Sequence, residues 1–320
     1  MNQSRLAPIA ECGLLIAMMT AFGMMAVYLP IVGTIVEFFW TLPLLIIIVR
    51  HGISRGLVSW LIATILFSMF VGPVTAVRMS ISAGSVSIAL GYGIEKKFRP
   101  VMSIVLALVA GFFAQIISVA IIFFALDINV IDLQLKMIRE SFEQTFEFYS
   151  AAGIEPESLT EMRGQIEPAI EIVGIIMPLV FALTSALNVF MTYYGMKWIF
   201  PRIGLQWKML DLPPFIAWRF PSAFLYLLAF SLIGLYWGAT REIDLLYNAS
   251  LNANIFVMII GLVQGMAIVS FFTARKKIPK VFRNIFFIVM FFQFIILEIV
   301  AFVGLFDMIF DYRKRFTMLK

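Results

Sequence analysis

The sequence contains one long hydrophilic passage, residues 127–171, and nearly everything on either side of it is apolar. The passage holds ten acidic and three basic residues, a local charge of −7. The whole chain carries +5, which leaves +12 for the remainder. An acidic block inside a basic, lipid-like chain divides the polypeptide and indicates which side of a membrane each part faces.

The composition indicates an integral membrane protein. Of the 320 residues, 62% are hydrophobic and 13% are charged, about half the charged fraction of an average soluble domain. With a mean hydropathy of +0.99, we expect an all-α fold, a polytopic transmembrane helical bundle. The single cysteine, Cys12, allows no internal disulfide, and the single histidine, His51, disfavours a histidine-rich metal centre. We therefore expect no metal site and no cofactor.

Nine segments have the apolar character of membrane spans. They are residues 12–29, 32–49, 57–77, 79–94, 101–126, 172–200, 222–238, 254–273 and 285–306. Pro43 predicts a kink in the second segment. The fourth is short and rich in small residues, which predicts a helix surrounded by protein or lining a cavity. In the eighth, the Gly261-x-x-x-Gly265 spacing predicts close packing against another helix.

These segments define three regions. Residues 1–200 are predicted to form a six-helix membrane domain that includes the loop 127–171. Residues 201–221 contain several prolines, charges and tryptophans, which predicts an interfacial connector rather than a span. Residues 222–320 are predicted to form a three-helix membrane region.

The acidic passage is predicted to form two amphipathic helices on the outside of the cell. Apolar residues recur at helical spacing in each of them. The first stripe is Ile131, Leu135, Ile138, Phe142, Phe146 and Tyr149, and the second is Leu159, Met162, Ile166 and Ile170. We expect these helices to lie on the membrane surface or to fold over the mouth of the bundle.

The distribution of basic residues predicts a cytoplasmic N-terminus. With nine spans, the basic turns then lie inside and the passage 127–171 lies outside, as the positive-inside rule requires. The turns contain Arg50, Arg55, Lys96, Lys97, Arg99, Lys197, Arg202, Lys208, Arg219 and the run from Arg275 to Arg283. The basic tail at Arg313, Lys314 and Arg315 disagrees, because nine spans place it outside. Either the final segment turns back, or there are eight spans, or the charge of the tail does not determine the side of the membrane on which it lies.

Parts of the sequence resemble two known families of membrane proteins. Residues 1–200 resemble the membrane-embedded S component of energy-coupling-factor (ECF) vitamin transporters, in the phrases LLIAMMTA, LPIVGTIVEFFWTLPLLIIIVRHGISRGLVSWLIATIL and GYGIEKK. The whole chain is more specifically similar to the YybS-like family of bacterial membrane proteins, in PPFIAWRFP and GLFDMIFDYRKRF. The resemblances imply a multi-pass protein of the bacterial plasma membrane.

Polar side chains within the spans are the candidate ligand-binding residues, because each is costly in lipid. A pocket that opens outward would be lined by Glu37, Trp40, Arg78, Ser82, Gln115 and Asn188. Arg78 is the expected anchor for an anionic ligand group, since its guanidinium offers paired donors. The alternatives are a structural Glu37–Arg78 ion pair or simple exposure of both residues at the interface, and interhelical hydrogen bonding by Gln115 and Asn188.

Gly13, Ala17 and Ala21 place three small residues on one face of the first span. This face either packs within the chain or binds a partner subunit. S components use an A-x-x-x-A motif in their first helix against a transmembrane coupling subunit, and Ala17 and Ala21 match that spacing. The resemblance therefore implies a coupling subunit and a separate ATPase as partners.

Two function classes remain open. The chain lacks H-E-x-x-H, G-x-S-x-G and G-x-x-x-x-G-K-[ST] motifs, so we expect no enzyme activity and no ATP hydrolysis by the chain itself. Its basic residues lie at helix ends, which argues against nucleic-acid binding. The first class is an S-component-like subunit for binding or uptake of a small molecule, and the second is a membrane scaffold or regulatory protein.

Overall fold

The computed structural model describes residues 3–29, 32–205 and 211–318, and their regular structure is helical, with no β-strand among them. The chain divides into two compact units, Met1–Leu212 and Pro213–Lys320. The predicted all-α, polytopic helical bundle is confirmed. Two residues that entered the sequence argument, Trp207 and Lys208, lie outside the described residues.

The first unit contains nine α-helices in its described part. They are α1 (Gln3–Tyr28), α2 (Val32–Phe39), α3 (Thr41–His51), α4 (Ile53–Val71), α5 (Pro73–Glu95), α6 (Pro100–Leu126), α7 (Val130–Ala151), α8 (Pro156–Ile175) and α9 (Met177–Ile199). A short 3₁₀ helix follows at Phe200–Ile203.

The second unit begins with a 3₁₀ turn at Phe215–Ala217 and continues with five helices in its described part. They are α10 (Ala223–Thr240), α11 (Asp244–Arg275), α12 (Lys280–Phe292), α13 (Phe294–Phe310) and α14 (Tyr312–Met318).

Seven described helices are long and apolar enough to cross a membrane, and an eighth span arises if α12 and α13 are counted as one. The nine predicted segments include two that are not single helices. Residues 32–49 are divided between α2 and α3, and residues 285–306 are divided between α12 and α13, whose axes differ in direction by 113°. The second break is either a broken span or a re-entrant loop.

Pro43 explains the first of these breaks. A proline inside a helix cannot donate to the carbonyl four residues earlier, and its ring clashes with that carbonyl. For Pro43 this carbonyl belongs to Phe39, the last residue of α2. The helix therefore ends there and restarts at Thr41, where Pro43 lies within the first turn and needs no donor. The predicted kink is thus a one-residue break in the helical hydrogen bonding at Trp40, whose backbone angles remain helical.

Further helix boundaries also differ from the predicted ones. The third predicted span ends at residue 77, whereas α4 ends at Val71 and α5 starts at Pro73. The sixth predicted span begins at residue 172, whereas α8 continues to Ile175 and α9 starts at Met177. Pro178 lies in the first turn of α9, a position that favours a new helix start. The eighth predicted span begins at residue 254, whereas α11 already begins at Asp244.

The acidic passage forms a helical hairpin of α7 and α8, which confirms two amphipathic helices. Their apolar stripes face each other, with Phe146, Leu159 and Ile170 only 4%, 9% and 3% exposed. Two ion pairs on the hairpin surface join the helices, Arg139 to Glu167 at 2.8 Å and Arg163 to Glu143 at 2.6 Å. The stripes therefore pack helix against helix.

The small-residue helix α5 lies at the centre of the first unit, as predicted. In its apolar window 61% of the residues are buried, against 28% for α1 and 22% for α4. Its glycines allow neighbours to approach closely. An added Cβ at Gly84 would overlap the Trp60 ring of α4, and one at Gly91 would overlap Ile48 of α3.

In the second unit, glycines also define the helix contacts. An added Cβ at Gly238 of α10 would lie 2.7 Å from the backbone nitrogen of Tyr247 in α11. An added Cβ at Gly265 of α11 would overlap the carbonyl oxygen of Val300 in α13. The close packing predicted for the Gly261-x-x-x-Gly265 motif is confirmed.

Candidate functional site

A hydroxyl network joins three helices in the core of the first unit. The Ser87 hydroxyl of α5 donates to the carbonyl oxygen of Thr41 in α3 at 2.7 Å. The hydroxyls of Thr41 and Thr192, on α3 and α9, share a hydrogen bond of 2.8 Å. All three residues have 0% exposure. The network fixes α3 and α9 against α5 immediately after the break at Trp40.

Three buried polar atoms near this network have no hydrogen-bond partner in the described part of the chain. They are Trp40 Nε1, Ser80 Oγ and Asn188 Oδ1, and their residues are 1%, 0% and 4% exposed. Trp40 precedes Thr41, Asn188 lies one helical turn before Thr192, and Ser80 lies two turns before Ser87 on the same face of α5. Buried polar groups are normally hydrogen-bonded, and each unpaired one costs stability, so such a group needs an explanation.

Two of the predicted site residues bind each other between α5 and α6. The Gln115 amide donates to the Ser82 hydroxyl at 2.8 Å. One turn further along, the Ser118 hydroxyl lies 3.3 Å from the carbonyl oxygen of Arg78, to which it donates. The Gln115 bond is interhelical, which was one of the alternatives for this residue in the sequence analysis.

Glu37 and Arg78 are both half-buried, on α2 and in the first two turns of α5. The guanidinium attracts the Glu37 carboxylate electrostatically. In the described residues the two side chains form no direct ion pair. The two groups therefore interact electrostatically without forming a salt bridge.

The six predicted site residues thus fall into smaller groups. Ser82 and Gln115 are in direct contact, Glu37 and Arg78 interact through their charges, and Trp40 and Asn188 both flank the Thr41–Thr192 contact. A cavity of about 260 Å³ lies elsewhere, on the surface of α7, lined by Met137, Ile138, Ser141, Phe142 and Thr145. No three His, Cys, Asp or Glu residues of the described ranges are grouped to hold a metal ion.

The predicted partner face of α1 is uncovered within its own unit. Gly13, Ala17 and Ala21 are all exposed, and an added Cβ at Gly13 would meet no atom within 4 Å. The opposite face of α1 carries the buried residues Ile16 and Met19. The structure therefore does not show this small-residue face packed against another part of its own unit.

A buried charged cluster in the second unit was missed by the sequence argument. The Asp307 carboxylate accepts from the Arg313 guanidinium at 3.0 Å, the Gln264 amide at 2.9 Å and the Tyr312 backbone N–H at 2.9 Å. Arg313 also donates to the carbonyl oxygen of Ile216, and Gln264 accepts from the N–H of Phe220, each at 2.8 Å. From sequence alone these charges fit a partner-binding tail or a solvated helix end.

The solvated interpretation is wrong for Asp307 and Arg313, whose side chains are only 2% and 3% exposed. It fits Asp311 and Arg219, which form a partly exposed ion pair of 2.8 Å. A usable signal was present in the sequence, because Asp307 is an acid within the apolar stretch of α13 and a charge there needs a partner.

The helices, their apolar surfaces and the buried polar networks define a polytopic membrane protein. The chain belongs to the family "Predicted membrane protein (DUF2232)", which matches residues 17–308. It is 24% identical to the uncharacterized protein YybS of Bacillus subtilis (strain 168), over 98% of this chain and 99% of that protein. The similarity to YybS-like proteins predicted from the sequence is confirmed. No solved structure matches the chain.

Proposed function

We propose that the first unit is an S-component-like subunit that binds a small molecule and depends on a separate ATPase for its transfer. The observation that carries the proposal is the set of unpaired buried atoms, Trp40 Nε1, Ser80 Oγ and Asn188 Oδ1, around an interrupted helix. A bound molecule that supplies hydrogen bonds to these atoms would explain why the chain retains them.

The interrupted helix supports the same function. In many transporters, discontinuous helices form the substrate site, since non-helical backbone inside a membrane is tolerated where it lines a cavity or is covered by protein. The break between α2 and α3 falls at Trp40, next to the unpaired atoms. Glu37, Arg78, Ser82 and Gln115 complete the proposed pocket, which opens to the outside.

The uncovered face of α1 is the proposed contact with a coupling subunit. Small residues let two helix backbones approach closely, and close packing is a main source of helix association in lipid. Gly13, Ala17 and Ala21 offer such a face and are not used within their own unit. The ATPase would act through that subunit, because this chain has no phosphate-binding loop.

The proposed orientation has a cytoplasmic N-terminus, an external α7–α8 hairpin and the bacterial plasma membrane as its location. In this orientation a re-entrant α12–α13 pair brings the basic tail back to the cytoplasmic side. The contacts of Arg313 with Ile216 and of Asp311 with Arg219 support this arrangement, because they hold the tail against the segment that precedes α10. The tail charge then agrees with the positive-inside rule.

The ligand proposal is tested by native mass spectrometry of the full-length protein, purified in detergent without added ligand. We expect a fraction of the protein to carry a stoichiometric small-molecule adduct. Protein that carries no such adduct, and that also co-purifies with no ATPase, contradicts the proposal. The scaffold alternative would then be favoured by the α7 surface, where Met137 and Phe148 are 59% and 68% exposed.

Ala17→Leu should abolish the association with the coupling subunit and leave the isolated protein folded. The added side chain would separate the two helix backbones, while the Ala17 position is exposed within its own unit. Co-purification is measured by mass spectrometry, with the ATPase identified by its phosphate-binding loop. Ala125→Leu, at an exposed position of α6, is the matched control and should retain the partner. Equal partner recovery from both variants would show that α1 is not the contact.

The orientation is tested by labelling single cysteines on intact cells with an impermeant thiol reagent, in a Cys12→Ser background. Ser54 at the start of α4 and Ser150 in the hairpin are both exposed. We expect Ser150→Cys to be labelled and Ser54→Cys to react only after the membrane is permeabilised. The reverse pattern would overturn the orientation.

A further inference from the structure

We propose that the second unit binds anionic phospholipid through a basic surface at the C-terminal end of α11. The ligand is the phosphodiester headgroup of a bilayer lipid that carries net negative charge. This site is separate from the proposed small-molecule pocket of the first unit and does not depend on it.

The basic surface is assembled from two runs that are distant in the sequence. The Phe272 ring of α11 and the Phe316 ring of α14 are edge-to-face, with centroids 5.2 Å apart. Arg275 follows Phe272 by less than one helical turn, a rise of about 4.5 Å, and Arg315 directly precedes Phe316. The contact therefore places the run after α11 beside the run in α14. Together they supply Arg275, Lys276, Lys277, Lys280, Arg283, Lys314 and Arg315.

This basic surface carries positive charge that the unit does not compensate. Arg283 is partly buried and the other basic side chains of the surface are exposed. None of them belongs to an ion pair within the described residues, and the acids that precede α14, Asp307 and Asp311, are paired with Arg313 and Arg219. Like charges on one surface repel one another, so an anion that binds among them is attracted by all of them.

The turn between α11 and α12 holds the first run in a fixed backbone. The Lys277 N–H donates to the carbonyl oxygen of Ala274 at 3.1 Å, and the Ile278 N–H donates to that of Thr273 at 2.9 Å. Helix α12 then begins directly at Lys280. A surface whose backbone is already ordered loses less conformational entropy when a ligand binds.

The first turn of α12 increases the preference for an anion. It contains Lys280 and Arg283 but no acidic residue, and no side chain caps it. The N-terminal end of a helix carries partial positive charge, which disfavours cations there and favours an anion. The Arg283 Nε atom has no hydrogen-bond partner in the described residues, and a terminal nitrogen donates to Asn284 only at 3.4 Å. Phosphate offers a guanidinium paired acceptors.

Apolar side chains among the charges favour a lipid over an acidic protein or a nucleic acid. Val281 and Phe282 are 64% and 65% exposed, and Phe316 is exposed as well. Arg275 ends a helix long and apolar enough to span the membrane, and headgroups lie at the ends of such spans. A helix with cations and large exposed apolar residues suits the membrane interface. The positive-inside rule explains basic residues on one side but does not require two runs to converge.

The test uses the full-length protein, stripped of lipid in a neutral detergent. Native mass spectrometry measures binding of phosphatidylglycerol and of phosphatidylcholine with identical acyl chains. We expect phosphatidylglycerol to bind about tenfold more tightly, to raise the Tm, and to do both less at high salt. Equal affinity for the two lipids would overturn the proposal.

The quadruple variant Lys276→Gln/Lys280→Gln/Lys314→Gln/Arg315→Gln removes four charges from this basic surface. Its affinity for phosphatidylglycerol should fall by about tenfold or more, because each charge near an anionic headgroup adds to the attraction. Without lipid its Tm should stay equal or rise, since the four side chains are exposed, like-charged and without an ion pair in the described residues. An unchanged affinity contradicts the site.

The matched control, Arg55→Gln/Lys96→Gln/Lys97→Gln/Arg99→Gln, removes the same charge from exposed positions of the first unit. It should keep the tighter binding of phosphatidylglycerol. Equal losses in the two variants would assign the effect to overall charge and overturn the proposal. Inorganic phosphate at the lipid concentration should leave the Tm unchanged, and a rise equal to that given by the lipid would show a site for a free anion instead.

Discussion

Gly304→Ala is expected to separate α11 from α13 and to destabilise the second unit by about 3 kcal/mol, the upper range for an overpacked site. An added Cβ at this position would overlap the carbonyl oxygen of Gly261 and lie 2.5 Å from the backbone nitrogen of Gly265. Both obstacles are backbone atoms, so neither can rotate away as a side chain would. The helices would have to move apart along the whole contact.

The measurement is the apparent Tm of the purified protein in detergent, followed by circular dichroism of the helices. Gly164→Ala is the control, because Gly164 also lies within a helix, α8, and an added Cβ there meets no atom within 4 Å. That variant should be as stable as the unmodified protein or slightly more stable, since alanine favours a helix over glycine by up to about 1 kcal/mol. Equal Tm values for the two variants would show that the helices are not in close contact at Gly304.

Asp307→Ala is expected to cost about 3–5 kcal/mol, the usual penalty for removing one partner of a buried ion pair. The Arg313 guanidinium would remain in a site where its side chain is 3% exposed. The Gln264 amide and the Tyr312 N–H would lose the same acceptor. The loss therefore includes the desolvation of a cation and two further donors.

Two comparisons isolate this effect. Arg219→Ala breaks the partly exposed pair with Asp311 and should cost about 0–1 kcal/mol. The double variant Asp307→Leu/Arg313→Met removes both charges and should recover much of the stability lost by Asp307→Ala, since no unpaired charge remains. Apparent Tm values of the four proteins measure the difference. A loss in Asp307→Ala no larger than that in Arg219→Ala would contradict the buried position of the pair.

Much of this fold follows from the sequence because apolar length decides which segments can cross a membrane. Seven of the nine predicted segments correspond to single long helices. The 113° bend between α12 and α13 could not be predicted in this way. It falls at Gln293, without a proline or glycine, and the apolar character of the segment continues through it. After the bend α13 packs against α11, and such contacts leave no mark in local hydropathy.

The candidate site could be predicted only in part, because the sequence shows which residues are polar but not which neighbours they have in space. A polar residue in an apolar run is visible in the sequence, so Trp40, Asn188 and Gln115 were found. Whether such a residue is satisfied depends on its neighbours in space. Gln115 has Ser82 as a partner, whereas Asn188 Oδ1 has none in the described residues. Asp307 was misinterpreted because a charge close to a chain end is usually hydrated.

The hydrogen bond between Phe220 and Gln264 holds the segment before α10 against α11 well before the C-terminal end of that helix. After Gln264, helix α11 continues through uncharged residues and reaches its first charge at Arg275. At 1.5 Å per residue, those eleven steps separate Phe220 from that charge by about 16 Å along the helix. Residues 213–220 therefore bring irregular backbone against the uncharged part of α11. Lipid offers no hydrogen bonds to such a stretch. Gln264 and Arg313 take the place of water for its backbone, by binding the N–H of Phe220 and the carbonyl oxygen of Ile216.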